Sequence, residues 1–142
     1  MAEKKSILIL CTGNSARSQM AEALLKHIRG NEYNIYSAGT DPGTIRPEAI
    51  AAINELGLDM SGYHSKSVDE FVGKEIDYVL TVCDNAQETC PHFPGATKTI
   101  HHSFEDPAAV EGDEETVLDA FRKARDEINL YFAEEFLKTI EQ

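Results

Sequence analysis

The chain is poor in positive charge. Its 142 residues carry 13 Lys and Arg against 25 Asp and Glu, a formal net charge of −12. That balance cannot neutralise phosphates over a wide surface, so neither nucleic acid nor an anionic membrane is an expected partner. A small anion remains compatible, because a local pocket can override the global field. Long apolar runs are missing too: none approaches the roughly 20 residues needed to span a bilayer. The run behind Met1-Ala2-Glu3-Lys4-Lys5 is too short for a secretion signal and has no cleavage-like end. A cytoplasmic location is expected. Cysteine is scarce, and its odd count of three suits a static disulfide framework poorly. In a reducing compartment such thiols are catalytic or redox-active rather than structural bridges. Repeats, low-complexity segments and linkers are absent. The length suits a single domain over residues 1–142 that folds without disulfide or metal.

What is present is an alternation of short β-rich runs and helical stretches. Ser6 to Leu10 (SILIL) reads as a buried strand. Residues 17–29 read as a helix with Met20, Ala23, Leu24 and Ile28 on one face, stopped by Gly30-Asn31. Tyr33 to Ser37 is a second strand, closed by Ala38-Gly39. Pro47 opens a helix ending at Leu56-Gly57, with Ile50, Ile53 and Leu56 inward. Ser67 to Glu70 has the form of a capping box opening a short helix. Ile76 to Val82 is a third strand and Thr97 to His101 a fourth. A long amphipathic helix runs from Asp113 to Thr139, with Val117, Phe121, Ala124, Ile128, Phe132 and Phe136 as its stripe. The pattern predicts an α/β fold: a four-stranded parallel sheet with helices on both faces. Ligands in such sheets bind beyond the carboxyl ends of the strands. Cys11 and Cys83 both fall at such ends.

Cys11 opens the stretch "CTGNSARSQMAE", in which the C-x5-R spacing places Arg17 at the start of a helix. Gly13 permits a tight path. The backbone N–H groups of Thr12, Gly13, Asn14, Ser15, Ala16 and Arg17 can converge on an anion, backed by the positive end of the helix. Asn14 tolerates the left-handed geometry that such a cradle requires. Arg17 supplies a planar fork that matches a tetrahedral oxyanion. A cysteine in this cup is expected to ionise easily and to attack the central atom of the oxyanion. A lone cysteine here would read as a packing residue, but the combination with Gly13, Arg17 and Ser18 argues otherwise. The nucleotide-binding patterns G-x-G-x-x-G and G-x-x-x-x-G-K-[ST] are absent from this turn.

The C-x5-R-S motif followed by Met20-Ala21-Glu22 resembles the low-molecular-weight protein tyrosine phosphatase superfamily, and the stretch is most similar to its arsenate reductase branch. The likeness extends through Tyr36-Ser37-Ala38-Gly39 to Asp106-Pro107-Ala108 and Arg125-Asp126-Glu127-Ile128. It implies that Ser18 stabilises the Cys11 thiolate and that Asp106 is the general acid. Where the phosphatase branch places a bulky aromatic after the Asp-Pro pair, this chain has Ala108, which suits a small inorganic oxyanion.

Two further cysteines lie in "TVCDNAQETCPHFP". On a regular helix, positions seven apart sit roughly 10 Å apart, beyond the ~7 Å Cα reach of a disulfide. Pairing Cys83 with Cys90 therefore requires the segment to bend, which Pro91 and Pro94 favour. A zinc site using Cys83, Cys90 and His92 lacks the paired C-x2-C spacing. The resemblance implies a thioredoxin-coupled relay: Cys11 attacks arsenate, Cys83 attacks Cys11, and Cys90 attacks Cys83. Thioredoxin then serves as electron donor, with no tightly bound cofactor and a monomeric enzyme. Relatives often carry another cysteine at the position of Ala16, and several bind potassium through residues matching Asn14, Glu22, Ser37 and an aspartate. Here that aspartate position is Lys66, whose ammonium can replace the ion, so potassium is expected to be dispensable. Two other functions stay open at this point. One is a tyrosine phosphatase, whose activity can also persist weakly beside the reductase. The other is a non-enzymatic oxyanion or redox sensor, which has no need of the general acid.

Overall fold

The computed structural model describes residues 4–83 and 96–141. Strand β1 (Lys5–Cys11) lies inside the sheet, between β2 (Tyr33–Gly39) and β3 (Tyr78–Thr81), and β4 (Lys98–His101) follows on the far side of β3. All pairings are parallel, giving the order β2-β1-β3-β4. Successive side chains of a strand point to opposite faces. Ile7, Leu8, Ile9 and Leu10 are all fully buried, so both faces of the sheet are covered at its centre. That is why this stretch is a continuous aliphatic run rather than an alternating one.

Helix α1 (Arg17–Arg29) spans the residues read from the periodicity. Helix α2 (Pro47–Asn54) starts at the expected proline but ends earlier than expected. Its inner face is Ala49, Ala52 and Ile53, whereas Ile50 is half-buried and Leu56 exposed. The helix has already ended at Asn54, and Gly57 turns the chain with φ of 78°, so Leu56 drops out of the stripe. The capping box at Ser67 and Glu70 forms, opening a 3-10 turn over Val68–Phe71. Strand β3 is shorter than the apolar run around it; just before it, the Asp77 carboxylate accepts the Ser6 N–H at 2.8 Å.

The long C-terminal helix is not uniform. Helix α3 (Glu114–Tyr131), capped by the Asp113 side chain, passes into a π turn over Phe132–Phe136 and then α4 (Leu137–Ile140). The wider turn shifts the register of the stripe. Phe132, Phe136, Leu137 and Ile140 all stay buried as a result. The rings of Tyr131, Phe132 and Phe136 pack with centroids 5.5–6.0 Å apart. Helix α3 is tied to α2 where Arg125 donates to the Ala52 carbonyl (2.8 Å) and Glu55 (2.8 Å). Among the described residues no helix is long and apolar enough to cross a membrane.

Candidate active site

The loop between β1 and α1 is held from behind. The carbonyls of Cys11, Thr12, Gly13 and Ser15 accept from the N–H groups of Thr40, Asp41, Gly43 and Arg46 at 2.9–3.2 Å. The N–H groups of residues 13–17 take no part in that network. Ala16, at the N-cap of α1, supplies no side-chain cap. The positive end of the helix and the loop amides are thus left for an anion.

Asn14 is the pivot. It is fully buried and has φ of 49°, the only positive value on a non-glycine residue among those described. Its Nδ2 donates to Ser18 Oγ (2.8 Å) and Ser37 Oγ (2.9 Å). Its Oδ1 accepts from Gln19 Nε2 and from the Lys66 N–H, each at 2.9 Å. Ser65 Oγ donates to its carbonyl at 2.7 Å. Ser18, expected at the thiolate, is fully buried with its oxygen on Asn14, which leaves its O–H as a donor. Gly39, paired with Cys11 across the sheet, lies against the same loop. A Cβ there would meet the Thr12 carbonyl oxygen at 2.5 Å and the Asn14 nitrogen at 2.9 Å.

Arg17 reaches across the mouth of the loop. Its Nη1 donates to the Phe104 carbonyl at 2.9 Å, and its Nη2 lies 3.7 Å from Asp106 Oδ2. Its Nε is buried and has no partner among the described residues. A buried donor left unpaired is costly, and a tetrahedral oxyanion at this point would satisfy it. Asp106 caps the turn over Pro107–Ala109 by accepting the Ala108 N–H at 3.0 Å, and its carboxylate remains half-exposed toward Arg17.

Cys83 lies just past β3, buried, with its sulfur 3.3 Å from Thr12 Oγ1. Interaction with the Cys83 thiol, together with burial, pushes Cys11 well above the ordinary thiol range. The Arg17 charge and the Thr12 N–H act the other way without overcoming them. The expectation of an easily ionised Cys11 therefore needs correction. When two interacting thiols titrate together, the one that ionises second keeps its proton to higher pH. Sequence cannot show this, because 71 positions separate Thr12 from Cys83. Cys90 lies outside the described residues.

The residues matching a potassium site come together around Glu22, which is buried. Ser37 Oγ donates to its Oε1 at 2.6 Å and Lys26 Nζ to its Oε2 at 2.7 Å. Lys66 Nζ stands 3.9 Å from Oε1. Burial lowers the Lys66 pKa, an effect that the Glu22 carboxylate opposes. Five groups at this site were not singled out by sequence reasoning: Gln19, Lys26, Gly39, Ser65 and the Phe104 carbonyl. Gln19, directly after the Arg-Ser pair, and Lys26, one helical turn past Glu22, stand close enough in the chain for their neighbours to hint at a role.

A family model described as low molecular weight phosphotyrosine protein phosphatase matches residues 6–142. A protein described as arsenate reductase from Bacillus licheniformis is 44% identical over 125 residues, which cover 88% of this chain and 90% of the relative. Among solved structures, an arsenate reductase in a phosphate-binding state superposes with a TM-score of 0.74 at 26% identity, covering 91% of this chain and 94% of that one. The thioredoxin-dependent arsenate reductase of Corynebacterium glutamicum gives a TM-score of 0.67 at 27% identity, covering 93% of this chain and 62% of that one.

Proposed function

The chain belongs to the low molecular weight phosphotyrosine protein phosphatase family, and from that premise we propose that it reduces arsenate to arsenite by a thiol relay. The observation that carries the reading is a second sulfur at the nucleophile. The Cys83 sulfur lies 3.3 Å from Thr12 Oγ1, on the residue next to Cys11 in the oxyanion loop, and is near enough to raise the Cys11 pKa. A phosphatase needs one thiol and an acid; a reductase needs a second thiol to accept the bond.

The loop amides and the Arg17 fork hold arsenate. Cys11 passes its proton to an oxygen of the bound arsenate as its sulfur attacks arsenic, and Asp106 delivers a proton to the departing oxygen, which leaves as water. Cys83 then attacks the Cys11 sulfur. The Cys11–Cys83 bond forms, the sulfur–arsenic bond breaks, and the electron pair stays on arsenic as arsenite. Two thiols have supplied two electrons. Because Cys83 is buried beside the loop that begins at Cys11, the second sulfur is close at hand for this step. Cys90 attacks Cys83 in turn, releasing Cys11 and leaving a Cys83–Cys90 disulfide for thioredoxin to reduce. The relatives described as arsenate reductases and the thioredoxin-dependent structure support both halves of the reading. The chain works in the cytoplasm as a single-domain monomer, and its Lys66 ammonium serves where relatives hold potassium.

The test is arsenate-dependent NADPH consumption in the presence of thioredoxin and its reductase. Steady turnover is expected. Hydrolysis of an aryl phosphate with no arsenate dependence, whatever the thiol donor, would favour the phosphatase instead.

A further inference from the structure

Gln19 is fully buried one turn into the site, and its carboxamide is only half satisfied. Nε2 faces three acceptors: the Asn14 carbonyl at 3.1 Å, Asn14 Oδ1 at 2.9 Å and the His64 carbonyl at 2.9 Å. Oε1 is buried without a partner among the described residues. The alternative orientation would press Oε1 against those three oxygens, so the donor side is fixed. A buried acceptor left unpaired carries a desolvation cost, and it persists here because the donor side is needed. What that side holds is Asn14, the one described non-glycine residue with left-handed backbone, together with the strap over residues 64–66 that closes on it through Ser65 Oγ and the Lys66 N–H.

We propose that Gln19 is a positioning residue of the oxyanion loop, clamping Asn14 and the 64–66 strap so that the loop amides are preset for the anion. It touches neither arsenate nor sulfur. Its role is to hold the loop in the bound shape and spare the oxyanion that ordering. The inference rests on the loop being the oxyanion cradle.

The experiment compares wild type with Gln19→Met, which keeps length and bulk, and with Gln19→Glu, which keeps shape but removes the donors. The readouts are KM and kcat for arsenate and the competitive inhibition constant of inorganic phosphate. KM and the phosphate constant are expected to rise together by about tenfold, the factor that a lost hydrogen-bonding contribution of this kind produces, with kcat changed less than threefold. A fall in melting temperature alone, with KM and the phosphate constant unmoved in whichever variant folds, would overturn the proposal. So would a fall in kcat at constant KM. Wild type that neither turns over arsenate nor is inhibited by phosphate would remove the cradle reading itself, an outcome distinct from normal binding in the variants.

Discussion

Adding one methyl group at Gly39 tests whether the loop geometry is set by close packing. A Cβ there falls 2.5 Å from the Thr12 carbonyl oxygen and 2.9 Å from the Asn14 nitrogen. Both are backbone atoms, so no side chain can swing aside. The strand cannot yield easily, because Gly39 is in register with Cys11 and donates to the Lys66 carbonyl at 2.8 Å. The loop cannot yield easily either, since the Asp41 N–H holds the Thr12 carbonyl at 2.9 Å. Ordinary contact begins near 3.4 Å, so something must move by about 0.9 Å. Overpacking of this kind costs about 1–3 kcal/mol, and a catalytic group displaced by ~1 Å can lose about 100-fold in rate. Gly39→Ala is therefore expected to lower kcat/KM for arsenate by one to two orders of magnitude and to lower the urea midpoint. Gly43→Ala is the control: nothing lies within 4 Å of its added Cβ, although its N–H also supports the loop. Wild-type kcat/KM in Gly39→Ala, or equal losses in both variants, would refute the reasoning.

Three other outcomes follow from the site. Removing the Cys83 contact by Cys83→Ala lets Cys11 lose its proton at lower pH, because that contact is the largest influence raising it. The pH midpoint of Cys11 alkylation by iodoacetamide should move down, and an unmoved or upward midpoint would contradict the thiol pair. Arg17→Lys keeps the charge but loses the fork whose Nη1 is tied to Phe104 and whose Nε has no partner among the described residues. The bidentate geometry goes with it, so kcat/KM should fall by about two orders of magnitude, measured against the phosphate inhibition constant to separate binding from chemistry. Finally, wild-type kcat/KM is expected to be the same in potassium and sodium salts at equal ionic strength, because Lys66 Nζ stands beside Glu22; a large gain in potassium would show that the ammonium does not replace an ion.

The parts legible in the sequence were those written by local pattern. The aliphatic run of β1 and the stripe of α1 fix a strand and a helix that adjoin the loop, and the C-x5-R spacing marks the cradle between them. Even the capping box at Ser67 and Glu70 forms as read. What the pattern misread depends on where an element stops. Leu56 has helical spacing but lies beyond the end of α2, and the C-terminal stripe continues only because a π turn resets its register. In the site, the residues visible from sequence are those that carry reactive groups. The ones that hold them — Gln19, Ser65, Gly39 and the Phe104 carbonyl — act through contacts between distant parts of the chain. The protonation of Cys11 belongs to the same class. Its neighbours in sequence argue for a thiolate, and its neighbour in space, Cys83, holds the proton on.

The relay is tested most directly in the Cys90→Ser variant mixed with a stoichiometric amount of arsenate. The account predicts one arsenite released per protein and a Cys11–Cys83 disulfide in the peptide map, with no further turnover when thioredoxin is supplied. Arsenite released while Cys83 remains reduced, or continued cycling of the variant with thioredoxin, would contradict it.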